Sequence, residues 1–246
     1  MSTIQLVVFD IAGTTVRDKG NVAEAFIAAF ADYGITVPVA EVKKVMGFRK
    51  MDAVVLLLEK FAPEKLAPGK EGGKLRRKDD QEDADELADR IHTRFIDRMI
   101  EFYLNDETLA PLPHAEAVFR ALKRQGIKVA LNTGFTRSIT DTILHRLRWD
   151  DRSPLIDQVI CSDEVPRGRP YADMIEVLID DLGIESPARV LKVGDTEVDV
   201  EEGRNAACGR VVSVTTGAYT REQLQPYGPD FIIDDLQELL PIIEKA

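Results

Sequence analysis

Short apolar segments rich in β-branched residues recur along the chain, and each ends close to a small or polar residue. They cover residues 4–9, 128–132, 158–161, 190–193 and 211–214. Apolar residues at helical spacing lie beside the later segments, over residues 115–124, 138–147, 171–182 and 200–207. Alternating strands and helices are typical of βαβ units. The pattern therefore predicts an α/β fold, with a Rossmann-like parallel-sheet core and helices on both faces.

A long interval between the first two predicted strands breaks this alternation. Nearly all of it has helical periodicity, over residues 22–33, 41–45, 51–61 and 85–103. We interpret residues 17–106 as a helical domain inserted into a core domain of residues 1–16 and 107–246. Residues 63–83 are rich in Lys, Glu, Gly and Asp, and this composition predicts a solvated, mobile connector.

Composition excludes several classes of protein. The chain has 246 residues and two cysteines, too few for a disulfide framework, and no Cys/His spacing suggests zinc. No apolar run approaches the ~20 residues of a membrane span. The N-terminus lacks a signal-peptide pattern, and these features together favour a cytoplasmic protein. We expect a monomer or a homodimer. The formal net charge of −11 argues against nucleic acid as a partner, but a small phosphorylated substrate fits.

Polar residues follow four of the predicted strands at the points where those strands end. Each one taken alone is common as a turn, cap or surface residue. The carboxyl ends of parallel strands meet at one sheet edge, where ligands bind, so we expect these side chains to converge. In chain order they are Asp10, Thr133 with Gly134, Arg169, and Asp195 with Asp199.

Three of these converging residues are carboxylates, namely Asp10, Asp195 and Asp199. Carboxylates held close together repel one another unless a cation lies between them. Mg²⁺ prefers oxygen ligands and retains waters that a phosphate can replace. The sequence thus predicts a Mg²⁺ site at this edge of the sheet.

These segments resemble the four motifs of the haloacid dehalogenase superfamily, and are most similar to its phosphonatase (phosphonoacetaldehyde hydrolase) branch. The resemblance spans the core and also includes a Met-Gly-x-x-Lys motif. It is carried by residues 10–15, 46–50, 132–137, 168–170, 194–196, 199 and 202–206. It implies that the helical insertion is a cap domain that closes over the site, with the 46–50 loop facing Asp10.

The resemblance also implies roles for individual residues. Asp10 would be the nucleophile and form an aspartyl-phosphate that water hydrolyses. Thr133 and Arg169 would hold the phosphoryl oxygens. The implied metal ligands are Asp10, the Ala12 carbonyl, Asp195, and Asp199 directly or through water. The implied substrate-binding residues are Thr14, Met46, Gly47, Thr133, Gly134 and Arg169.

Ala12 departs from ordinary phosphatases of this superfamily, which carry a second Asp there as general acid and base. Alanine cannot donate or accept a proton, and general acid–base catalysis typically raises the rate by roughly 10²–10⁴-fold. Phosphonatase uses a cap lysine that forms a Schiff base with its aldehyde substrate, and Lys50 matches that lysine. Two alternatives for Lys50 remain open: a solvated lysine at a helix end, or a cationic clamp on the substrate.

Other positions depart from the phosphonatase pattern. Phosphonatase has Tyr, His and Cys where this chain has Phe135, Ala53 and Asn21. The resemblance therefore favours a phosphonate hydrolase but leaves two alternatives. One is a capped phosphatase of small phosphomonoesters, similar to phosphoglycolate phosphatase or β-phosphoglucomutase. The other is a catalytically weak protein of this fold that binds a ligand or regulates a partner.

Overall fold

The computed structural model describes residues 4–66, 79–150 and 153–245. The chain divides into two compact units. The first contains the residues up to Lys19, the tripeptide Gly47–Arg49 and the residues from Tyr103 onward. The second contains Gly20–Met46 and Lys50–Phe102. The predicted division, 1–16 and 107–246 against 17–106, thus differs from these units most clearly at residues 47–49.

The first unit is built on a sheet of six strands that pair in parallel, which confirms the predicted fold class. Across the sheet the order is β3-β2-β1-β4-β5-β6. The winding direction therefore reverses between β1 and β4, and ligands bind beside such a reversal, at the carboxyl ends of the strands. The strands are β1 (Leu6–Asp10), β2 (Lys128–Thr133), β3 (Gln158–Cys161), β4 (Val190–Gly194), β5 (Arg210–Val214) and β6 (Phe231–Ile233).

Helices follow the strands of this unit and cover the sheet. All five residues of β1 are buried, as expected for a central strand covered on both faces. On one face, Leu6, Val8 and Ala130 pack with Met174 and Leu178 in a hydrophobic cluster. The helices are α6 (Ala115–Arg124), α7 (Arg137–Leu147), α8 (Asp173–Leu182), α9 (Glu197–Asn205), α10 (Arg221–Leu224) and α11 (Leu239–Glu244).

The second unit is helical over its described residues. Its core includes Phe26 and Phe95, whose rings stack with centroids 4.2 Å apart. Arg94 and Arg98 both pair with Asp32 on its surface. The helices are α1 (Asn21–Ala31), α2 (Val39–Lys43), α3 (Lys50–Phe61), α4 (Pro63–Leu66) and α5 (Asp79–Asn105), and the last three residues of α5 group with the first unit.

The predicted connector and one strand also differ from the sequence prediction. The predicted connector at 63–83 begins with α4 and ends inside α5, so both of its ends are helical; its central residues, 67–78, lie outside the described residues. The strand β6 was not predicted, because it has only three residues and its first, Phe231, is 42% exposed.

Among the described helices, none combines the length and the apolar character that a membrane span requires.

Candidate active site

Asp10 is the last residue of β1, and the residue is buried, with 5% exposure. The chain turns sharply after it: the amides of Thr15 and Val16 both donate to the carbonyl of Ile11. Gly13 makes this turn possible with a φ of +89°, a region that favours glycine. A Cβ on Gly13 would also lie 2.8 Å from Asp195 Oδ2. The turn thus brings the first motif against the fourth.

Arg169 contacts the carboxylate of Asp10 directly. Its Nη1 donates to Asp10 Oδ1 at 2.7 Å, and the guanidinium is only 1% exposed. The pKa of Asp10 is nevertheless raised, chiefly by burial and further by Asp199, although Arg169 and Lys192 oppose the shift. The guanidinium therefore only partly offsets the cost of burying an anion at this strand end.

Asp195 follows β4 directly and lies close to the Asp10 loop. Its Oδ1 accepts a 3.2 Å hydrogen bond from the Thr14 hydroxyl, and its Oδ2 accepts one of 2.6 Å from the Ala218 amide. Burial raises the pKa of Asp195 well above its usual value, and repulsion by Asp10 and Asp199 raises it further. The side chain of Thr14 is fully buried and its hydroxyl orients Asp195, and its predicted role in substrate binding stays a prediction.

Asp10 and Asp195 fit the requirements of a Mg²⁺ site. Both carboxylates are buried, and the charge of Asp10 disfavours the ionised form of Asp195, so a divalent cation would relieve the repulsion. Within the described residues, no three side chains of His, Cys, Asp or Glu are grouped to hold a metal. Two carboxylates with the carbonyl of Ala12 suit Mg²⁺, because this ion commonly retains several waters.

Asp199 was predicted to bind the metal directly or through water, and that role stays a prediction. Its Oδ2 caps α9 by accepting from the amide and hydroxyl of Thr196. Its Oδ1 forms ion pairs with Arg169 Nη1 at 3.1 Å and Lys192 Nζ at 3.0 Å. Although burial raises the pKa of Asp199, these two cations lower it below its usual value. Both oxygens are therefore engaged by protein groups.

We predict that Asp195→Asn weakens Mg²⁺ binding by at least roughly 10-fold. Mutating residues that only hydrogen-bond to a metal ligand lowers metal affinity by roughly 10–100-fold, so mutating a ligand should cost at least the lower value. Isothermal titration with MgCl₂ measures this, and Glu201→Gln, an exposed change on α9, is the matched control. The raised pKa of Asp195 means that its ionised form destabilises the fold above the usual pKa. The neutral variant should thus have a higher Tm in metal-free buffer at neutral pH. Unchanged metal affinity would remove Asp195 from the ligand set.

The residues after β2 lie against the tripeptide 47–49. Thr133 is 2% exposed, and its hydroxyl accepts a 3.1 Å hydrogen bond from the Phe135 amide. A Cβ on Gly134 would overlap the carbonyl oxygen of Phe48, and one on Gly47 would overlap Thr196. These two glycines therefore permit close backbone contacts within the first unit. The substrate-binding roles of Thr133, Gly134 and Gly47 stay predictions.

Lys50 and Met46 lie in the second unit. Lys50 begins α3 and is only 3% exposed, so the alternative of a solvated helix-end lysine is wrong. Its Nζ donates to the carbonyl of Met46 at 2.5 Å and lies 5.8 Å from the centroid of the Phe26 ring. Burial of this kind is what a lysine needs to act as a nucleophile.

Three buried polar residues beneath Asp10 were not predicted as site residues. Asn132, Lys192 and Glu202 are each fully buried. Asn132 and Glu202 lie inside recognised motifs, but their side chains carry no signal that separates them from capping or surface residues. Lys192 does carry a sequence signal, because it interrupts the apolar strand β4, whose residues are all buried. A lysine is almost never fully buried unless it is paired.

Comparisons with known proteins identify the family of this chain. A family model described as haloacid dehalogenase-like hydrolase matches residues 4–207. A phosphonoacetaldehyde hydrolase of Bacillus cereus is 30% identical over 268 residues, which cover 98% of this chain and 96% of the relative. The phosphonoacetaldehyde hydrolase of Paraburkholderia phytofirmans is 26% identical over 267 residues, with 99% and 95% covered.

Solved structures show the same fold. A phosphonoacetaldehyde hydrolase-like protein from Oleispira antarctica matches with a TM-score of 0.77 at 24% identity, covering 99% of this chain and 92% of that one. CbbY from Rhodobacter sphaeroides, solved in complex with phosphate, matches with a TM-score of 0.72 at 19% identity, covering 98% and 99%. At these identities the likeness concerns the fold.

Proposed function

Because the chain belongs to the haloacid dehalogenase-like hydrolase family, in its phosphonatase-like branch, we propose that it hydrolyses a small aldehyde phosphonate with the help of Mg²⁺. Asp10 is the nucleophile that accepts the phosphoryl group. Lys50 forms a Schiff base with the aldehyde, so that the carbon–phosphorus bond can break. Hydrolysis of the aspartyl-phosphate then releases inorganic phosphate.

The observation that carries this proposal is the burial of Lys50. A lysine used as a charged clamp needs no apolar surroundings, whereas one that must lose its proton to attack a carbonyl benefits from desolvation. Lys50 is 3% exposed and lies near the Phe26 ring. Ala12 strengthens the case, because the chain has no carboxylate at the position of the usual general acid. A phosphoryl donor with an electron-withdrawing iminium does not need that acid.

In the proposed reaction, the Lys50 amine condenses with the aldehyde and releases water. A carboxylate oxygen of Asp10 then attacks phosphorus as the carbon–phosphorus bond breaks. The electron pair of that bond moves into the iminium and forms an enamine. Protonation of the enamine at carbon and hydrolysis release the aldehyde product and regenerate the amine.

The residues around Asp10 support its part in this reaction. Arg169, with Nη1 2.7 Å from Asp10 Oδ1, holds the carboxylate in place and balances its charge. Asp10, Asp195 and the Ala12 carbonyl would hold Mg²⁺, which supplies Lewis-acid stabilisation of the phosphoryl oxygens. Thr133, at the end of the neighbouring strand β2, supplies a hydroxyl for the same oxygens.

A set of matched substrates tests the proposal, with phosphate release measured with Mg²⁺ and with EDTA. Phosphonoacetaldehyde carries both the aldehyde and the carbon–phosphorus bond. Phosphonoacetate keeps that bond but replaces the aldehyde with a carboxylate. Glycolaldehyde phosphate keeps the aldehyde but has an ester oxygen before phosphorus. We expect Mg²⁺-dependent turnover of phosphonoacetaldehyde and none of phosphonoacetate.

The other outcomes separate the alternatives. Preference for glycolaldehyde phosphate or p-nitrophenyl phosphate, with no turnover of phosphonoacetaldehyde, would make the protein a capped phosphatase with Lys50 as a substrate clamp. Binding of these compounds without any turnover would make it a ligand-binding protein of this fold.

A further inference from the structure

A fully buried lysine lies directly beneath the proposed nucleophile. Lys192 is in the middle of β4, level with Val8 of β1, and is 0% exposed. Its apolar neighbours along the strand are Leu191 and Val193. A buried ammonium is tolerated only where several acceptors surround it. Its partners therefore indicate why it is there.

The sheet register explains how Lys192 meets the active site. Successive residues of a strand point to opposite faces of the sheet. Asp10 pairs with Asn132, and Val8 pairs with Lys192, so Asp10, Asn132 and Lys192 lie on the same face. Helix α9 covers this face with Asp199 and Glu202, which are three residues apart and so share one side of the helix.

Lys192 contacts an acceptor from each of these neighbours. Its Nζ donates to Asn132 Oδ1 at 2.6 Å and forms ion pairs with Asp199 Oδ1 and Glu202 Oε2, both at 3.0 Å. Glu202 is itself fixed, since its Oε1 accepts a 2.8 Å hydrogen bond from Asn132 Nδ2. Lys192 thus joins β2 and α9 beneath the strand ends.

The same three acceptors surround Arg169. Its Nε donates to Glu202 Oε2 at 3.1 Å, and its Nη2 donates to Asn132 Oδ1 at 2.6 Å and to the Asn132 carbonyl at 2.8 Å. Its Nη1 is shared between Asp10 Oδ1 at 2.7 Å and Asp199 Oδ1 at 3.1 Å. Each guanidinium nitrogen therefore has a protein partner, and the orientation of Arg169 depends on those partners.

Asp10 and Asp199 compete for Nη1 of Arg169. Lys192 pairs with the same oxygen of Asp199 at 3.0 Å and offsets part of its charge, so Nη1 stays close to Asp10. Without Lys192, the charges of Asp199 and Glu202 would fall on the guanidinium alone and draw Nη1 away from Asp10. The effect would be felt at the nucleophile although Lys192 touches neither Asp10 nor the substrate.

We propose that Lys192 and Glu202 are positioning residues for phosphoryl transfer, which hold the guanidinium of Arg169 with Nη1 directed at Asp10. This rests on the proposed function of Asp10 as nucleophile. Nothing in the reaction requires either residue to contact the substrate. Their removal should therefore lower kcat and leave KM little changed.

Three variants test this: Lys192→Met, Glu202→Gln and the double variant. Kinetics are measured with phosphonoacetaldehyde, or with p-nitrophenyl phosphate if that is the better substrate, and Tm is measured for each protein. Each single change should lower kcat by roughly 10–100-fold, as changes to supporting residues do, and should also lower Tm. Lys128→Met, on the partly exposed start of β2, is the matched control and should leave kcat unchanged.

The double variant separates positioning from simple charge balance, because it removes one cation and one anion together. We expect its Tm to recover towards that of the unchanged protein while kcat stays low, since Asp199 still competes for Nη1. Recovery of both quantities, failure of the double variant to fold, or an unchanged kcat in folded Lys192→Met would overturn the proposal. Asp10→Asn is assayed in parallel. If it is active, the proposed function fails; if it is inactive and kcat of Lys192→Met is unchanged, only the positioning role fails.

Discussion

Asp10→Asn should reduce turnover by roughly 10³-fold or more, because an amide is a poor nucleophile and a weaker ligand of Mg²⁺. Asparagine has nearly the same shape as aspartate, so the buried turn after β1 should keep its structure. Phosphate release with Mg²⁺ measures the loss. Turnover above a few per cent of the original would place the nucleophile elsewhere.

The stability of Asp10→Asn provides the control for this experiment. Burial raises the pKa of Asp10, and Asp199 raises it further. A group with a raised pKa in the folded state destabilises the fold once the pH exceeds its usual pKa. In metal-free buffer at neutral pH, the neutral variant should therefore have a Tm equal to or above that of the unchanged protein. An inactive variant with a raised Tm would show that activity is lost through chemistry.

The second large effect concerns Lys50→Arg. Arginine keeps the positive charge but does not form an imine with an aldehyde. If Lys50 is the Schiff-base lysine, turnover of phosphonoacetaldehyde should fall by roughly 10²–10⁴-fold. This is the contribution that general acid catalysis typically makes, and in the proposed reaction the imine takes the place of the general acid. Steady-state kinetics measure this loss. Borohydride added with phosphonoacetaldehyde should also trap a covalent adduct on the peptide that contains Lys50.

Lys60, at the other end of α3, is the matched control. Its side chain is 54% exposed and pairs with Glu41, so it shares the helix but not the burial. Lys60→Arg should leave both turnover and adduct formation unchanged. If Lys50→Arg retains turnover and no adduct forms on Lys50, the lysine is a clamp on the substrate phosphate or another anionic group.

The proposed activity would depend on charges held beneath the sheet edge as well as at it. Asp10 and Asp195 form the proposed metal-binding edge, whereas Asp199 forms ion pairs with Arg169 and Lys192. The acidic motif after β4 thus has two separate duties. Asp195 contacts the first motif through the hydroxyl of Thr14, and Asp199 balances the charges of two buried cations.

Much of this arrangement could be predicted from local patterns. The alternation of apolar strands and amphipathic helices predicts the parallel sheet, because buried strands and half-buried helices need different periodicities. The same pattern predicts that Asp10, Thr133 and Asp195 follow strand ends, and the structure has them there. Among the strands of the described residues, only β6 was missed, since three residues with an exposed first position carry too little periodicity.

The sequence by itself determined the fold class, the family and the strand-end position of the proposed nucleophile, because each depends on residue type and on spacing along the chain. The tertiary structure decided which carboxylates are paired with cations of the protein. Asp199 and Thr14 are matched to motifs by their spacing, yet one pairs with cations and the other orients Asp195. The tertiary structure also decided that Lys192 supports Arg169 and that Lys50 is buried. These properties depend on partners distant in sequence, whose approach is set by strand register and helix packing.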